Sequence, residues 1–239
     1  MENNNFLKGI KDGLPICIGY FAVSFAFGIT AVGLGLSWLE AFLISMTNVT
    51  SAGQLAGVPI LASGGSIIEL IVSQLVINSR YTLMSISMSQ KLGRSISFKN
   101  KLIIAFCNTD EVFAVTMGNK QSVGKKYMYG LILTPWLGWS FGTLLGSLAN
   151  NILPALVISS LGVAIYGMFI AIVVPVMKKN KTVTLCVMLA ILLSCMFKYL
   201  PVLNIVPAGF VIIICAVVSS AVFALIAPTS NESEAETND

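Results

Sequence analysis

The 239-residue chain is 56% hydrophobic and 10% charged, with a mean hydropathy of +0.89 and a net charge of +4. Soluble domains carry about 25% charged residues, so the main solvent of this chain is lipid rather than water. Histidine is absent, which excludes Ser/His/Asp or Cys/His nucleophilic sites, imidazole metal sites and imidazole base chemistry near neutral pH. Cys17, Cys107, Cys186, Cys195 and Cys215 lie in apolar stretches without a C-x-x-C pair and read as small apolar fillers.

A helix needs about 20 apolar residues to cross a hydrocarbon core. Six segments qualify: Leu14 to Leu36, Ile67 to Gln90, Tyr127 to Ala149, Leu153 to Met177, Thr182 to Tyr199 and Ile205 to Ala227. The first is too long for a signal-peptide core, so an uncleaved helix is expected. Ala41 to Ala62 is interrupted by Thr47, Asn48, Thr50, Ser51, Gly53, Gln54, Gly57 and Pro59, and Leu102 to Met117 is short and contains Asn108, Thr109, Asp110 and Glu111. Neither reads as a plain lipid-facing helix.

Lysine and arginine in short loops prefer the cytoplasm. The clusters are Lys8 and Lys11; Lys91, Arg94, Lys99 and Lys101; Lys120, Lys125 and Lys126; and Lys178, Lys179 and Lys181. With eight plain spans, the second cluster falls outside. When both interrupted segments return to the side they entered, all four clusters fall inside, and the connections at 37–39, 63–66, 150–152 and 200–204 carry no lysine or arginine. The expected fold is therefore an all-α membrane protein of six full transmembrane helices plus two discontinuous or re-entrant segments, with both termini cytoplasmic and eight plain spans as the alternative. Residues 1–228 form one transmembrane domain, and the acidic tail 229–239 is expected to be disordered.

Intramembrane charges cost at least about 2.5 to 3.5 kcal/mol each at a bilayer centre, so they are functional candidates by default. They are Glu69, Arg80, Asp110 and Glu111, with Lys198 close enough to an interface to snorkel. Glu69 and Arg80 share a helical face but stand about 16 Å apart, too far to pair. Asp110 and Glu111 point about 100° apart on a helix, which suits one as counter-ion to Arg80 and the other as a proton carrier. Gln74, Asn78, Tyr81 and Ser85 form a second polar face. Asn48, Thr50, Ser51 and Gln54 supply uncharged donors and acceptors beside glycines, as an unwound helix holding a small zwitterion would need. Gly138, Gly142 and Gly146, and Gly19, Ala22, Ala26 and Gly28, have the spacing of close helix packing. No nucleotide or phosphate motif is present, so no cofactor is expected and the driving force would be an ion gradient or a partner.

Three blocks, Val49-Thr50-Ser51-Ala52-Gly53-Gln54, Asn78-Ser79-Arg80-Tyr81 and Thr109-Asp110-Glu111-Val112-Phe113-Ala114, resemble the azaleucine-resistance (AzlC-like) branched-chain amino acid permease family. Gly13-Leu14-Pro15 and Phe27-Gly28 fit that family's opening, and the resemblance covers about residues 9–225. It implies a secondary transporter of the bacterial cytoplasmic membrane, not an enzyme. Such a transporter exports leucine, isoleucine or valine, with methionine a further candidate, and acts with a small AzlD-like multispanning subunit. On this reading Asn48, Thr50, Ser51, Gln54, Asn78, Arg80 and Tyr81 bind substrate. Asp110, Glu111 and Glu69 carry proton or ion coupling. Two departures stand out: Val49-Thr50-Ser51 replaces the family's phenylalanine-alanine-glycine, and Tyr81 replaces a histidine. Tyrosine does not titrate near pH 7, so proton transfer would move to the carboxylates. The competing readings are a membrane assembly subunit and a transporter of another small zwitterion.

Overall fold

The computed structural model describes residues 4–93, 96–150, 152–154, 156–157, 160, 167, 170, 173–178, 180–200, 203 and 205–227. Arg94, Lys179, the tail 229–239 and most of the segment Leu153 to Met177 lie outside the described residues. The named helices are α1 (Phe6–Gly33), α2 (Trp38–Thr47), α3 (Ser51–Ala62), α4 (Ile67–Lys91), α5 (Phe98–Phe106), α6 (Asp110–Met117), α7 (Lys125–Ala149), α8 (Lys181–Tyr199) and α9 (Ala208–Ile226). Four of them, α1, α7, α8 and Gly209–Ile226 of α9, are long and apolar enough to cross a membrane. The chain is an all-α, multi-pass membrane protein.

Local chemistry sets the helix ends. Ser37 and Glu40 close a capping box at the start of α2, Ser66 accepts from the Glu69 N–H at the start of α4, and Thr109 accepts from the Val112 N–H at the start of α6. Gly35 (φ +100°) and Gly64 (φ +70°) make the turns that follow α1 and α3, where a side chain would be strained. Two expected boundaries are corrected. Helix α1 begins at Phe6 rather than Leu14, because Asn5 caps it, so Lys8 and Lys11 belong to the helix. The second interrupted segment begins at Phe98, following Ser97, rather than at Leu102.

Helices α1 and α7 lie side by side and run in the same direction: Gly9 meets Tyr127, Gly13 meets Leu131, Cys17 meets Gly138, Phe21 meets Gly142 and Phe25 meets Gly146. The backbones touch, since a Cβ on Gly13 would lie 2.8 Å from the Leu131 carbonyl oxygen and one on Gly138 would lie 2.6 Å from that of Cys17. Small residues allow this approach. The expected glycine stripe on α7 is the one that packs. On α1, Gly28 packs against Thr143 and Ser147, but Gly19 faces open space and the close contacts fall to Gly9 and Gly13.

Helix α4 runs the opposite way. Its end lies beside the start of α7, where the Gly93 N–H donates to the Val123 carbonyl (2.9 Å) and the Val123 N–H donates to that of Lys91 (3.1 Å). Each polar-interrupted segment is a pair of short helices folded back on itself. In the first, Gln54 donates to Ser45 across the turn, while Ala41 and Val58, one on each arm, pack with Phe27 and Ala31 near the end of α1. In the second, Asn100 accepts from Tyr129 and Asn119, just past α6, donates to Tyr127, so both arms open toward the start of α7. Arms of 10 and 12 residues are about 15 and 18 Å long, near half a hydrocarbon core. The two hairpins therefore enter from opposite ends of the bundle. Their turns, residues 48–50 and 107–109, point toward its middle, where Trp136 donates to the Met46 carbonyl and lines a cavity with Phe106 and Cys107.

Lys8, Lys11, Lys91, Lys99, Lys101, Lys120, Lys125 and Lys126 all belong to the end where α1 and α7 begin. The turns at the opposite end, residues 34–37 and 63–66, carry no lysine or arginine.

Candidate functional site

The interior between the hairpin turns holds two polar groupings joined by an aromatic pair. At the first turn, Thr50 donates to Asn48 (3.0 Å) instead of capping α3, so the first N–H groups of that half-helix carry no side-chain cap. Gln54, only 1% exposed, donates to Ser45 (2.8 Å) and accepts from the Trp139 indole N–H (2.7 Å). Ser45 in turn shares a 2.8 Å hydrogen bond with Thr143. Gln54 is thus fixed at both ends of its amide. A buried amide, indole and hydroxyl satisfy one another here, and that satisfaction locks the first hairpin onto α7.

Helix α4 supplies the next layer. Gln74 donates to the Gly53 carbonyl (2.8 Å) and accepts from Asn78 (3.1 Å), which places Asn78 against the first turn. Two residues further, Arg80 pairs with Asp110 at 2.6 Å and donates to the Tyr81 hydroxyl at 3.2 Å, its guanidinium 4.9 Å from the Tyr81 ring. The pair is partly open, with side-chain exposures of 44% and 38%. The neighbouring Glu111 accepts from the Tyr20 hydroxyl of α1. Adjacent carboxylates thus take different partners, one a cation and the other a neutral hydroxyl, as their angular separation on α6 requires. Tyr20 stands edge-on to Trp139, with ring centroids 5.4 Å apart, which links the second hairpin to the Gln54 cluster.

Among the described residues four buried side-chain oxygens have no hydrogen-bond partner, those of Asn78, Asn108, Thr134 and Ser140, and the two amide oxygens are acceptors beside the hairpin turns. Asn108, in the second turn, uses its amide N–H on Ser85 (3.3 Å). Open acceptors near carboxylates suit an ammonium group, and uncapped N–H groups at a half-helix start suit a carboxylate. Beside the first turn, Ile44, Val58, Leu61 and Leu70 line a cavity of about 230 Å³ with Asn48, Gln54 and Gln74. It is mostly apolar and sized for a small solute rather than a cofactor.

The structure brings together Asn48, Thr50, Gln54, Asn78, Arg80, Tyr81, Asp110 and Glu111, and Ser51 opens α3 beside them. Glu69 stands apart. It is buried at the other end of α4, where it accepts from the Gly209 N–H (2.8 Å) at the start of α9. Sequence reasoning passed over Tyr20, Ser45, Trp139 and Thr143. The available signal was that Tyr and Trp buried in an apolar helix need a partner for O–H and N–H.

The family model described as AzlC protein matches residues 15–153, more than half of the chain. The chain belongs to the AzlC family. Over 150 residues it is 31% identical to the inner membrane protein YgaZ of Escherichia coli K12, covering 61% of each chain, so it spans about three fifths of that relative's length. It is 34% identical over 175 residues to an uncharacterized membrane protein of Archaeoglobus fulgidus, covering 72% of this chain and 76% of that one. A Helicobacter pylori membrane protein is 30% identical over 156 residues, with 62% and 67% covered. No solved structure matches. AzlC proteins are membrane proteins of the permease type, generally linked to branched-chain amino acid transport, and are not enzymes. The matched region contains both broken hairpins, α4 and α7.

Proposed function

We propose that this chain exports branched-chain amino acids across the bacterial cytoplasmic membrane, binding the solute between the two hairpin turns. The observation that carries this reading is the meeting of two broken helices, from opposite ends of the bundle, around Arg80, Asp110 and Glu111. Many secondary transporters bind solutes at such discontinuities. The solute carboxylate sits at the uncapped start of α3, with Asn48, Thr50, Ser51 and Gln54 around it. Its ammonium group meets Asn78 and the Asp110 side of the site, and its aliphatic side chain enters the cavity lined by Ile44, Val58, Leu61 and Leu70. Tyr81 orients Arg80. Glu111 carries the coupling proton, Asp110 is the ion-pair partner of Arg80, and Glu69 is a structural anchor for α9 rather than a coupling site.

In the membrane, α1, α4, α7, α8 and α9 cross fully, while the two hairpins re-enter; the sixth span expected from the sequence, Leu153 to Met177, lies mostly outside the described residues. Both termini face the cytoplasm, because the lysine-rich end is then inside. A small AzlD-like multispanning subunit completes the transporter. The apolar cavity of about 370 Å³ formed by Phe6, Ile103, Phe106, Tyr129, Leu133 and Trp136 is compatible with a lipid or subunit side chain.

The test is counterflow of radiolabelled leucine, valine and methionine into vesicles holding the chain with and without the small subunit, at two pH values. Saturable counterflow of leucine or valine is expected. Its absence with the subunit present would refute the substrate assignment, and cells lacking the protein that clear branched-chain amino acids normally after dipeptide feeding would refute export.

A further inference from the structure

The first six helices repeat one arrangement twice. A long helix, α1 or α4, is followed by a hairpin of two short helices whose turn ends in a threonine, Thr50 or Thr109, immediately before the second arm. The two long helices run in opposite directions, and the hairpins enter from opposite ends. Each long helix packs its own end against its own hairpin: Phe27 and Ala31 against Ala41 and Val58, Met88 and Leu92 against Ile104 and Val112. Each also reaches across to the other hairpin, α4 through Gln74 to Gly53 and α1 through Tyr20 to Glu111. The sequences keep register: Leu14, Ile16, Tyr20 and Ser24 recur in the same order and spacing as Leu75, Ile77, Tyr81 and Ser85. These are the marks of an inverted repeat.

From this register we infer that Tyr20 is the positioning residue of Glu111, the counterpart in the first repeat of Tyr81 in the second. The two tyrosines serve the two carboxylates of α6 differently. Tyr81 contacts Arg80, which holds Asp110 by charge. Tyr20 has Gly19 where Tyr81 has Arg80, and among the described residues Glu111 accepts from the Tyr20 hydroxyl while the ion pair of Arg80 goes to Asp110. The inverted repeat thus delivers unlike partners to adjacent carboxylates. The charged and titratable groups around Glu111 are Tyr20 from α1, Arg80 and Tyr81 from α4, and Asp110 on its own helix. Helix α7 meets α6 further along, through Met128 at Thr116, and the Tyr127 hydroxyl meets Asn119 just beyond it.

The inference rests on the central cluster being the transport site, and it is tested without transport. Infrared difference spectra of the purified protein across a pH titration report the C=O stretch of a protonated carboxyl. Loss of that band in Glu111→Gln assigns it. A hydroxyl donated to a carboxylate favours the charged form, so Tyr20→Phe raises the proton affinity of Glu111, by roughly tenfold for the loss of one charge-assisted bond. The midpoint then moves about one unit to higher pH. A purely structural Tyr20 would leave the midpoint in place and only lower the yield. The unsubstituted protein supplies a check that needs no variant to fold: a tyrosine C–O band must change at the same midpoint as the carboxyl band. An unmoved midpoint in Tyr20→Phe, a carboxyl band that survives Glu111→Gln, or a tyrosine band indifferent to the titration overturns the inference. Failed counterflow with the infrared behaviour intact strikes the substrate assignment instead.

Discussion

The Gln54 amide gives the sharpest energetic test of how the first hairpin is held. Replacing Gln54 by Met keeps volume and apolar shape but removes both its donor and its acceptor. The Trp139 indole N–H, 1% exposed at the residue level, then has no partner. Leaving a buried donor unsatisfied costs about 1–3 kcal/mol. Ser45 keeps Thr143 as a partner, so its loss adds little. Trp139→Phe alone removes the donor and strands the Gln54 oxygen, at a similar cost of about 1–3 kcal/mol before any packing loss. The double variant has no stranded polar pair, since replacing both partners by apolar groups is far milder than removing one. Its destabilisation should therefore fall short of the sum of the singles by about 1–2 kcal/mol, a coupling within the range for residues in direct contact. Reversible unfolding in mixed micelles, followed by circular dichroism for wild type, both singles and the double, measures the cycle. Additivity within about 0.5 kcal/mol would refute the view that this hydrogen bond, rather than aromatic packing against Tyr20 and Phe27, fastens Gln54.

Other perturbations address the remaining parts of the site. Arg80→Gln and Asp110→Asn should each reduce counterflow by more than tenfold, since each breaks the ion pair at the centre of the site; counterflow unchanged in both would remove the binding role. Gly146→Ala places a Cβ against the Phe25 carbonyl oxygen, a backbone atom that cannot step aside, so it should cost about 1–3 kcal/mol or more and loosen α1 from α7; unfolding in the same micelles decides it. Glu69→Gln keeps an acceptor for the Gly209 N–H and should be mild, whereas Glu69→Leu should destabilise by about 1–3 kcal/mol without altering the pH dependence of transport. Single cysteines at Ser37 and Gly64 on a cysteine-free background should react with a membrane-impermeant maleimide from one face, and those at Lys99 and Lys120 from the opposite face. Labelling of Ser37 and Gly64 from opposite faces would mean that the first hairpin crosses.

What the sequence could reveal about this fold depended on whether a signal was local. The breaks were visible because Asn48-Val49-Thr50 and Asn108-Thr109-Asp110 put backbone-competing side chains into short apolar segments, and such residues favour caps over helix interiors. The charge pattern made return to the entry side the better account of both breaks. The folded chain carries an independent reason: α1 and α7 are parallel and α4 is antiparallel to them, so a first hairpin that crossed would leave α4 pointing the wrong way. Angular separation on a helix, with Glu69 out of reach, limited the counter-ion of Arg80 to one of Asp110 and Glu111; the fold selects Asp110. What escaped were contacts whose partners are far apart in the chain. Tyr20 meets Glu111 across 91 residues and Trp139 meets Gln54 across 85, and neither pairing has a periodicity to announce it. The Glu69 contact escaped for the same reason. A charge in an apolar segment invited a functional reading, and in the fold its carboxylate accepts from the first turn of α9, an N–H donor that only the fold brings to it. Burial of an acid near a helix start in this bundle is therefore weak evidence for a place in the central site, because a backbone N–H can satisfy it, whereas Glu111 is joined to that site by a side-chain contact with Tyr20 from another helix.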